Sequence, residues 1–214
     1  MILLSFEFTE NGLDHAGEHM IGLQLRDKLI KEFASLTDEP RFSEREKGKP
    51  YIIYSNVTYS ITHTDGCAAC AINVPGAVFN DLPTLPEIVT ESGVYKVGLT
   101  DDLPCEIGLD VERIDRDRGE ARLSAIAMRY FTEEETRLVE KSNDKHKEFY
   151  RIWTAKESLV KCTGEGLSGV GFAETERAEE MGFELFHFLI RNRENEFYGT
   201  ICRNDCLLPE ENKK

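Results

Sequence analysis

Residues 107–112 read Ile107-Gly108-Leu109-Asp110-Val111-Glu112, an apolar run whose β-branched residues and two-residue alternation predict a strand. Farther along comes Trp153-Thr154-Ala155-Lys156-Glu157-Ser158-Leu159-Val160-Lys161, inside a helix expected from about Lys147 to Cys162 and stopped by Gly164 and Gly166. Before the 107–112 strand, an amphipathic pattern over Asp14 to Ala34 (Ala16, Met20, Leu23, Ile30, Phe33) predicts a helix after a first strand. Gly48-Lys49-Pro50 is a turn signal, and two extended stretches follow, Tyr51 to Thr64 and Cys67 to Val74, joined by an Asp65-Gly66 hairpin turn. After the strand, Arg122 to Arg129 is helical, and Thr132-Glu133-Glu134-Glu135 is a capping box opening another helix. Phe183 to Ile190 and Phe197 to Cys202 are strand-like. Each half therefore carries helix and sheet, and the expected fold class is α+β (α/β) in two parts, residues 1–105 and 106–214. The proline-bearing stretch 75–105 reads as an insertion with one short strand near Val94 to Leu99.

The 214 residues are 40% hydrophobic, enough for a packed core. Forty acidic against 26 basic residues give a net charge of −14, which disfavours nucleic acid as a partner. That charge is uneven: residues 145–170 are net positive by two, an island able to draw phosphate towards the Lys156, Glu157 and Lys161 helix. No uncharged stretch reaches the roughly 18 to 20 apolar residues of a membrane span, and Met1 to Phe8 lacks the basic start of a signal peptide. A cytoplasmic protein without membrane contact is the expectation. Among six cysteines, Cys67 and Cys70 form a lone CxxC in a small-residue strand, where they point to opposite faces; Cys202 and Cys206 are a looser pair. Buried reduced thiols are expected in preference to a metal or redox role.

Asp110 and Glu112, two apart on a strand, put both carboxylates on one face. Like charges that close raise each other's pKa unless a cation neutralises them, so the pair reads either as a hard-metal site or as a solvated strand face. Trp153, Glu157 and Lys161 recur every fourth residue and form one helical stripe. Since Trp153 is the only tryptophan, this stripe should touch the interior, where Glu157 and Lys161 need partners. A metal shared with Asp110 and Glu112 satisfies Glu157; a phosphate satisfies Lys161.

These two segments, roughly forty residues apart, resemble the signature motifs of 4′-phosphopantetheinyl transferases of the Sfp type. Gly48-Lys49-Pro50 and Ser60-Ile61-Thr62-His63-Thr64 resemble that family's upstream motif region, and Gly164-Glu165-Gly166-Leu167-Ser168 continues the match beyond the helix. The resemblance implies a pseudo-dimer of two similar halves, each a sheet packed with helices, with the active site in the cleft between them. It implies a monomeric holo-[carrier protein] synthase that moves the phosphopantetheine arm of coenzyme A onto a serine of an apo carrier protein (acyl, peptidyl or aryl), releasing 3′,5′-ADP. It also implies Mg²⁺ held by Asp110, Glu112 and Glu157, with coenzyme contacts from Lys49, Thr62, His63, Lys156 and Lys161. The serine proton goes to Glu157 or Glu112, and the sequence does not choose between them. Three departures bear on substrate preference. Thr62-His63-Thr64 stands where the family shows Ser-His-Ser; the 75–105 stretch is longer than usual; and the N-terminal part is short and lacks a counterpart of the basic residues that often contact the 3′-phosphate in the family, for which Arg41, Arg45 and Lys47 are candidate substitutes. The competing readings are a family member that binds coenzyme A or carrier without turnover, and an unrelated metal-dependent phosphodiesterase, which leaves the Gly48 and His63 matches unexplained.

Overall fold

The computed structural model describes residues 1–9, 13–97 and 103–205, the side chains of Leu167, Ser168 and Phe172 apart. In chain order the elements are β1 (Ile2–Phe8), α1 (His15–Phe33), β2 (Phe42–Glu44), β3 (Pro50–Ile52), β4 (Thr58–Thr64), β5 (Cys67–Asn73), β6 (Ile88–Val89), β7 (Gly93–Lys96) and β8 (Glu106–Arg113). Then come α2 (Glu120–Tyr130), α3 (Glu133–Lys141), α4 (Lys145–Thr163), two short 3₁₀ segments (Leu167–Phe172 and Thr175–Arg177), β9 (Glu184–Arg191) and β10 (Glu196–Asn204). The mixed helix and sheet content agrees with the expected class. Strands β4-β5-β1-β7 form one antiparallel sheet, β6-β9-β10-β8 a second, and β2 with β3 a small hairpin.

Strand alternation explains how the two sheets meet. Ile2, Leu4 and Phe6 of β1 and Cys67, Ala69 and Ala71 of β5 share one apolar cluster with Ile107, Leu109 and Val111 of β8 and Phe197 and Ile201 of β10. The opposite face of the first sheet, with Leu3, Cys70 and Ile72, is covered by Leu25, Leu29 and Ile30 of α1. Cys67 and Cys70 thus lie on opposite faces, as alternation requires, and burial pushes the Cys67 thiol up to about 12 and Cys70 higher still. Cys202 is buried, while Cys206 lies outside the described residues.

Several local signals have their expected outcome. Thr132 and Glu135 exchange capping-box hydrogen bonds at the start of α3. Gly164, at φ 77°, ends α4 by donating its N–H to the Val160 carbonyl. Gly66, at φ 94°, completes the two-residue turn between β4 and β5. The extended stretch expected from Tyr51 to Thr64 is broken: β3 stops at Ile52, and Tyr54 takes φ 57°, a turn conformation that alternation could not show. The 75–105 stretch yields two short strands instead of one, and they join different sheets. β7 pairs with β1, whereas β6 runs parallel to β9. Val89 and Val97 are buried in the apolar cluster between the sheets. The Gly98 and Leu99 end of the expected strand lies outside the described residues.

β4 and β8 are edge strands of their respective sheets, and these edges meet. The backbone at an unpaired edge needs partners. β4 supplies them with hydroxyls at every second position: Thr58 donates to the Cys105 carbonyl (2.6 Å), Ser60 accepts from the Leu109 N–H (2.9 Å), and Thr64 accepts from the Arg113 N–H (3.4 Å). On the same face of β8 as the carboxylates, Gly108 lets α4 approach: a Cβ there would overlap the Ser158 carbonyl and the Cys162 N–H. The helix therefore crosses the strand at this glycine, with Asp110 and Glu112 to one side and Glu106 to the other.

Candidate active site

The site is built where β4, β8 and α4 come together. Asp110 is buried and accepts from Thr62 Oγ1 (3.0 Å) and from Lys161 Nζ (2.6 Å), and that ammonium also lies 3.2 Å from Thr62 Oγ1. Glu112 accepts from Thr64 Oγ1 at 3.1 Å. Glu157, one turn before Lys161 on α4, is 7% exposed. Lys161 pairs with Asp110 across the strand–helix contact. Trp153, half-buried, lies at the N-terminal end of the same stripe, against Tyr130 and Phe149.

Three carboxylates here face one ammonium, and the electrostatics reflect it. Burial, then the charge of Asp110, pushes Glu112 up to about 7, against the opposing Thr64 hydrogen bond and Lys161. Burial and Asp110 likewise raise Glu157 to about 7. Asp110 Oδ2 is buried without a hydrogen-bond partner among the described residues. An orphaned carboxylate oxygen and two carboxyls that resist ionisation are the chemistry a hard divalent cation relieves, and Asp110, Glu112 and Glu157 are the side chains that could turn towards one. Among the described residues no group of three or more His, Cys, Asp or Glu side chains is arranged to hold a metal ion as it stands; Asp110 faces Lys161 instead.

A groove of about 500 Å³ opens from this point. Glu157, Val160, Lys161 and Gly164 line it from α4 and its end, with Lys47 near Gly166; Ser60 and His19 line it from β4 and α1, and Arg26, Phe42 and Tyr59 form a further cluster in its wall. Arg26 stacks its guanidinium 3.8 Å from the Phe42 ring centroid. His63 lies beside the groove with its Nδ1 3.7 Å from Glu18 Oε2.

Two of the expected coenzyme contacts fall elsewhere. The Lys49 ammonium is buried against Glu106 Oε2 (2.6 Å) and the carbonyls of Cys162 (2.5 Å) and Ile107 (3.3 Å), so only its stem reaches the groove. Lys156 is fully buried and points away from Asp110: it bonds Glu135 Oε2 at 2.8 Å and the Ala173 carbonyl. Its neighbour Glu157 takes the groove side because consecutive helical residues diverge by about 100°. Of the substitutes for 3′-phosphate contacts, Arg45 is bound to Glu106, Arg41 lies on the surface, and Lys47 lines the groove. Sequence reasoning missed Glu106, the β4 hydroxyl ladder and the histidines of α1. Alternation at Thr58, Ser60, Thr62 and Thr64, and the four-residue spacing of His15 and His19, were the available signals.

Comparison with known proteins bears directly on this arrangement. Residues 106–202 match the model of the 4′-phosphopantetheinyl transferase superfamily. That span holds Asp110, Glu112, Glu157 and Lys161; Lys49, Thr62 and His63 lie before it. The chain is 31% identical over 146 residues to 4′-phosphopantetheinyl transferase ffp of Bacillus subtilis, covering 67% of this chain and 50% of that protein. It is 28% identical over 146 residues to 4′-phosphopantetheinyl transferase Sfp of Bacillus subtilis strain 168, again 67% and 50%. With 4′-phosphopantetheinyl transferase HetI of Nostoc sp. it shares 25% identity over 134 residues, 60% of this chain and 43% of that protein. The resemblance to 4′-phosphopantetheinyl transferases, Sfp among them, thus holds beyond the motifs. The chain spans about half the length of the curated relatives it matches. No helix among the described residues is long and apolar enough to cross a membrane.

Proposed function

We propose that this protein is a 4′-phosphopantetheinyl transferase that uses coenzyme A and Mg²⁺ to modify a serine of an apo carrier protein, and that residues 1–105 and 106–214 are its two related halves with the catalytic cleft between them. The observation that carries the reading is the cluster of Asp110, Thr62 and Lys161, with Glu112 and Glu157 electrostatically coupled to Asp110, beside a groove that Glu157 and Lys161 line. In the transfer, the serine oxygen forms a bond to the phosphorus that bears the pantetheine arm. The bond from that phosphorus to the bridging oxygen breaks, and 3′,5′-ADP leaves. Bound Mg²⁺, held by Asp110, Glu112 and Glu157, supplies neutralisation of the pyrophosphate charge. Lys161, 31% exposed and already at the groove, adds a second positive charge to the leaving side. Thr62 holds Lys161 and Asp110 in register by bonding both. The serine proton goes to Glu112 or Glu157, the two carboxylates beside Asp110 at the site. Lys49 and Lys156 act through position: the first fixes the groove wall and the second fixes α4. His63 and Lys47 are the groove-side groups for coenzyme phosphates.

Incubation with coenzyme A, Mg²⁺ and a panel of apo acyl, peptidyl and aryl carriers is the test. The expected outcome is a mass gain of one phosphopantetheine on at least one carrier, with release of 3′,5′-ADP. Binding of coenzyme A with no mass gain on any carrier would leave a non-catalytic binder; phosphodiester hydrolysis without a carrier would point to a phosphodiesterase instead.

A further inference from the structure

We infer that His15 and His19 of α1 join His63 of β4 in a phosphate-binding cluster at the rim of the groove, a site for an anionic group of the coenzyme. The inference rests on the coenzyme reading of that groove and adds residues that the motif resemblance does not reach. His15 and His19 are one helical turn apart, so they share a face of α1. Both rings meet His63 edge-on, with centroids 4.3 Å and 5.6 Å away. His19 also lines the groove together with Lys161.

The orientation of His63 is determined from behind. Glu18 is buried, with Oε1 accepting from Thr9 Oγ1 (3.2 Å) and the Gly66 N–H (3.1 Å), which leaves Oε2 facing His63 Nδ1. Nε2 makes no hydrogen bond to any described residue. The charged and titratable groups around His63 are His15, Glu18 and His19 from α1 and Lys161 from α4. Burial, then the positive character of His15, holds His63 below the ordinary imidazole range, with Glu18 opposing and His19 and Lys161 adding to the effect. Three imidazoles thus lie together beside one carboxylate, Glu18, with the Lys161 ammonium, itself paired with Asp110, adding to the positive field at His63. Left alone, His63 resists protonation, because its burial and the neighbouring rings and ammonium disfavour the charge. A phosphate dianion reverses this, since each protonated ring then donates a charge-assisted hydrogen bond. Anion binding at this cluster must therefore take up protons and tighten as pH falls. The same three rings are not arranged to enclose a metal ion.

Calorimetric titration of the protein with coenzyme A at pH 6.5 and 8.5, in buffers of different ionisation heat, reads both consequences. The expected result is about tenfold tighter binding at pH 6.5, the size of one charge-assisted bond, with net proton uptake. In the His15→Gln/His19→Gln variant, whose two sites are exposed, the pH dependence and the uptake should largely vanish. Repeating the titration with 3′-dephospho-coenzyme A distinguishes the source of the phosphate: loss of the pH effect assigns the 3′-phosphate to the cluster, and its persistence assigns the pyrophosphate. A variant that keeps the pH dependence and proton uptake of the parent overturns the inference. Should coenzyme A fail to bind at all, the coenzyme reading falls, and titration with inorganic phosphate decides the cluster separately. Movement of the His15, His19 and His63 ring resonances towards their protonated positions supports it, and unmoved resonances overturn it.

Discussion

Glu106 and Asp110 leave the same face of the same strand, four residues apart and both nearly inaccessible to solvent, yet they are treated in opposite ways. Glu106 is enclosed by two cations, Arg45 and Lys49, and joins the 42–50 segment to the start of β8. Asp110 shares a neighbourhood with Glu112 and Glu157, has Lys161 as its cation, and keeps one oxygen without a partner. Gly108 stands between the two regions, where α4 crosses the strand. The first arrangement is a closed structural joint. The second has an excess of negative charge held in place by the fold, and such unfinished electrostatics is what a site for a cation and phosphates needs.

The comparison can be broken most forcefully from the Glu106 side. Glu106→Ala leaves Lys49 buried and Arg45 half-buried without their anion, and removal of one partner from a buried pair costs about 3–5 kcal/mol. Chemical denaturation should show that loss; a change below about 1 kcal/mol would mean the joint is not structural. On the other side, Glu157→Gln keeps shape and removes charge. It should raise the melting temperature of the metal-free protein above pH 7, or at least not lower it, while reducing transfer to a carrier by about 10²–10³-fold, the range for deleting one electrostatic contact to a transition state. Equal activity of parent and variant would remove Glu157 from the site.

A third expectation concerns pH. Glu112 and Glu157 have folded-state values near 7, well above the usual carboxylate range, so between about pH 4.5 and 7 the folded chain binds more protons than the unfolded one. Stability of the metal-free protein should therefore fall as pH rises through that window. At pH 7.5, Mg²⁺ should raise the melting temperature of the parent and leave that of an Asp110→Asn variant nearly unchanged. A flat profile, or an equal Mg²⁺ effect in both proteins, would contradict the account of the Asp110 side. The smallest effect is expected from Thr62→Val, which deletes the hydroxyl between Asp110 and Lys161 at roughly 1 kcal/mol. Transfer rate should drop several-fold with little change in carrier affinity, as steady-state kinetics would show.

Much of this was legible in advance for a local reason. The α3 capping box, the glycine stop of α4 and the opposite-facing cysteines depend on residues close in sequence, and each has its expected outcome. So does the common face of Asp110 and Glu112. What could not be read was the use of cations. Lys49 and Lys156 sit in motifs beside phosphate-facing residues, but their ammonium groups turn to Glu106 and Glu135. A long flexible side chain reaches several ångströms in any direction, so its partner is chosen by whichever buried acid the fold brings near. The breaks in the 51–64 stretch and the division of residues 75–105 between two sheets were hidden for the same reason: edge pairing is a long-range choice.

By itself, the sequence determined the main helices and the strands that carry the motifs, which of their faces are apolar and which side chains could carry phosphate chemistry, because periodicity and motif order are properties of the chain. Only the tertiary structure decided which carboxylate is neutralised and which is left wanting a cation. Gly108 admits α4, the hydroxyls of β4 join the two sheet edges, and these contacts place Lys49 beside Glu106 but only Lys161 beside Asp110. Charge compensation acts over a few ångströms, and those distances exist only once the strands and helix have packed.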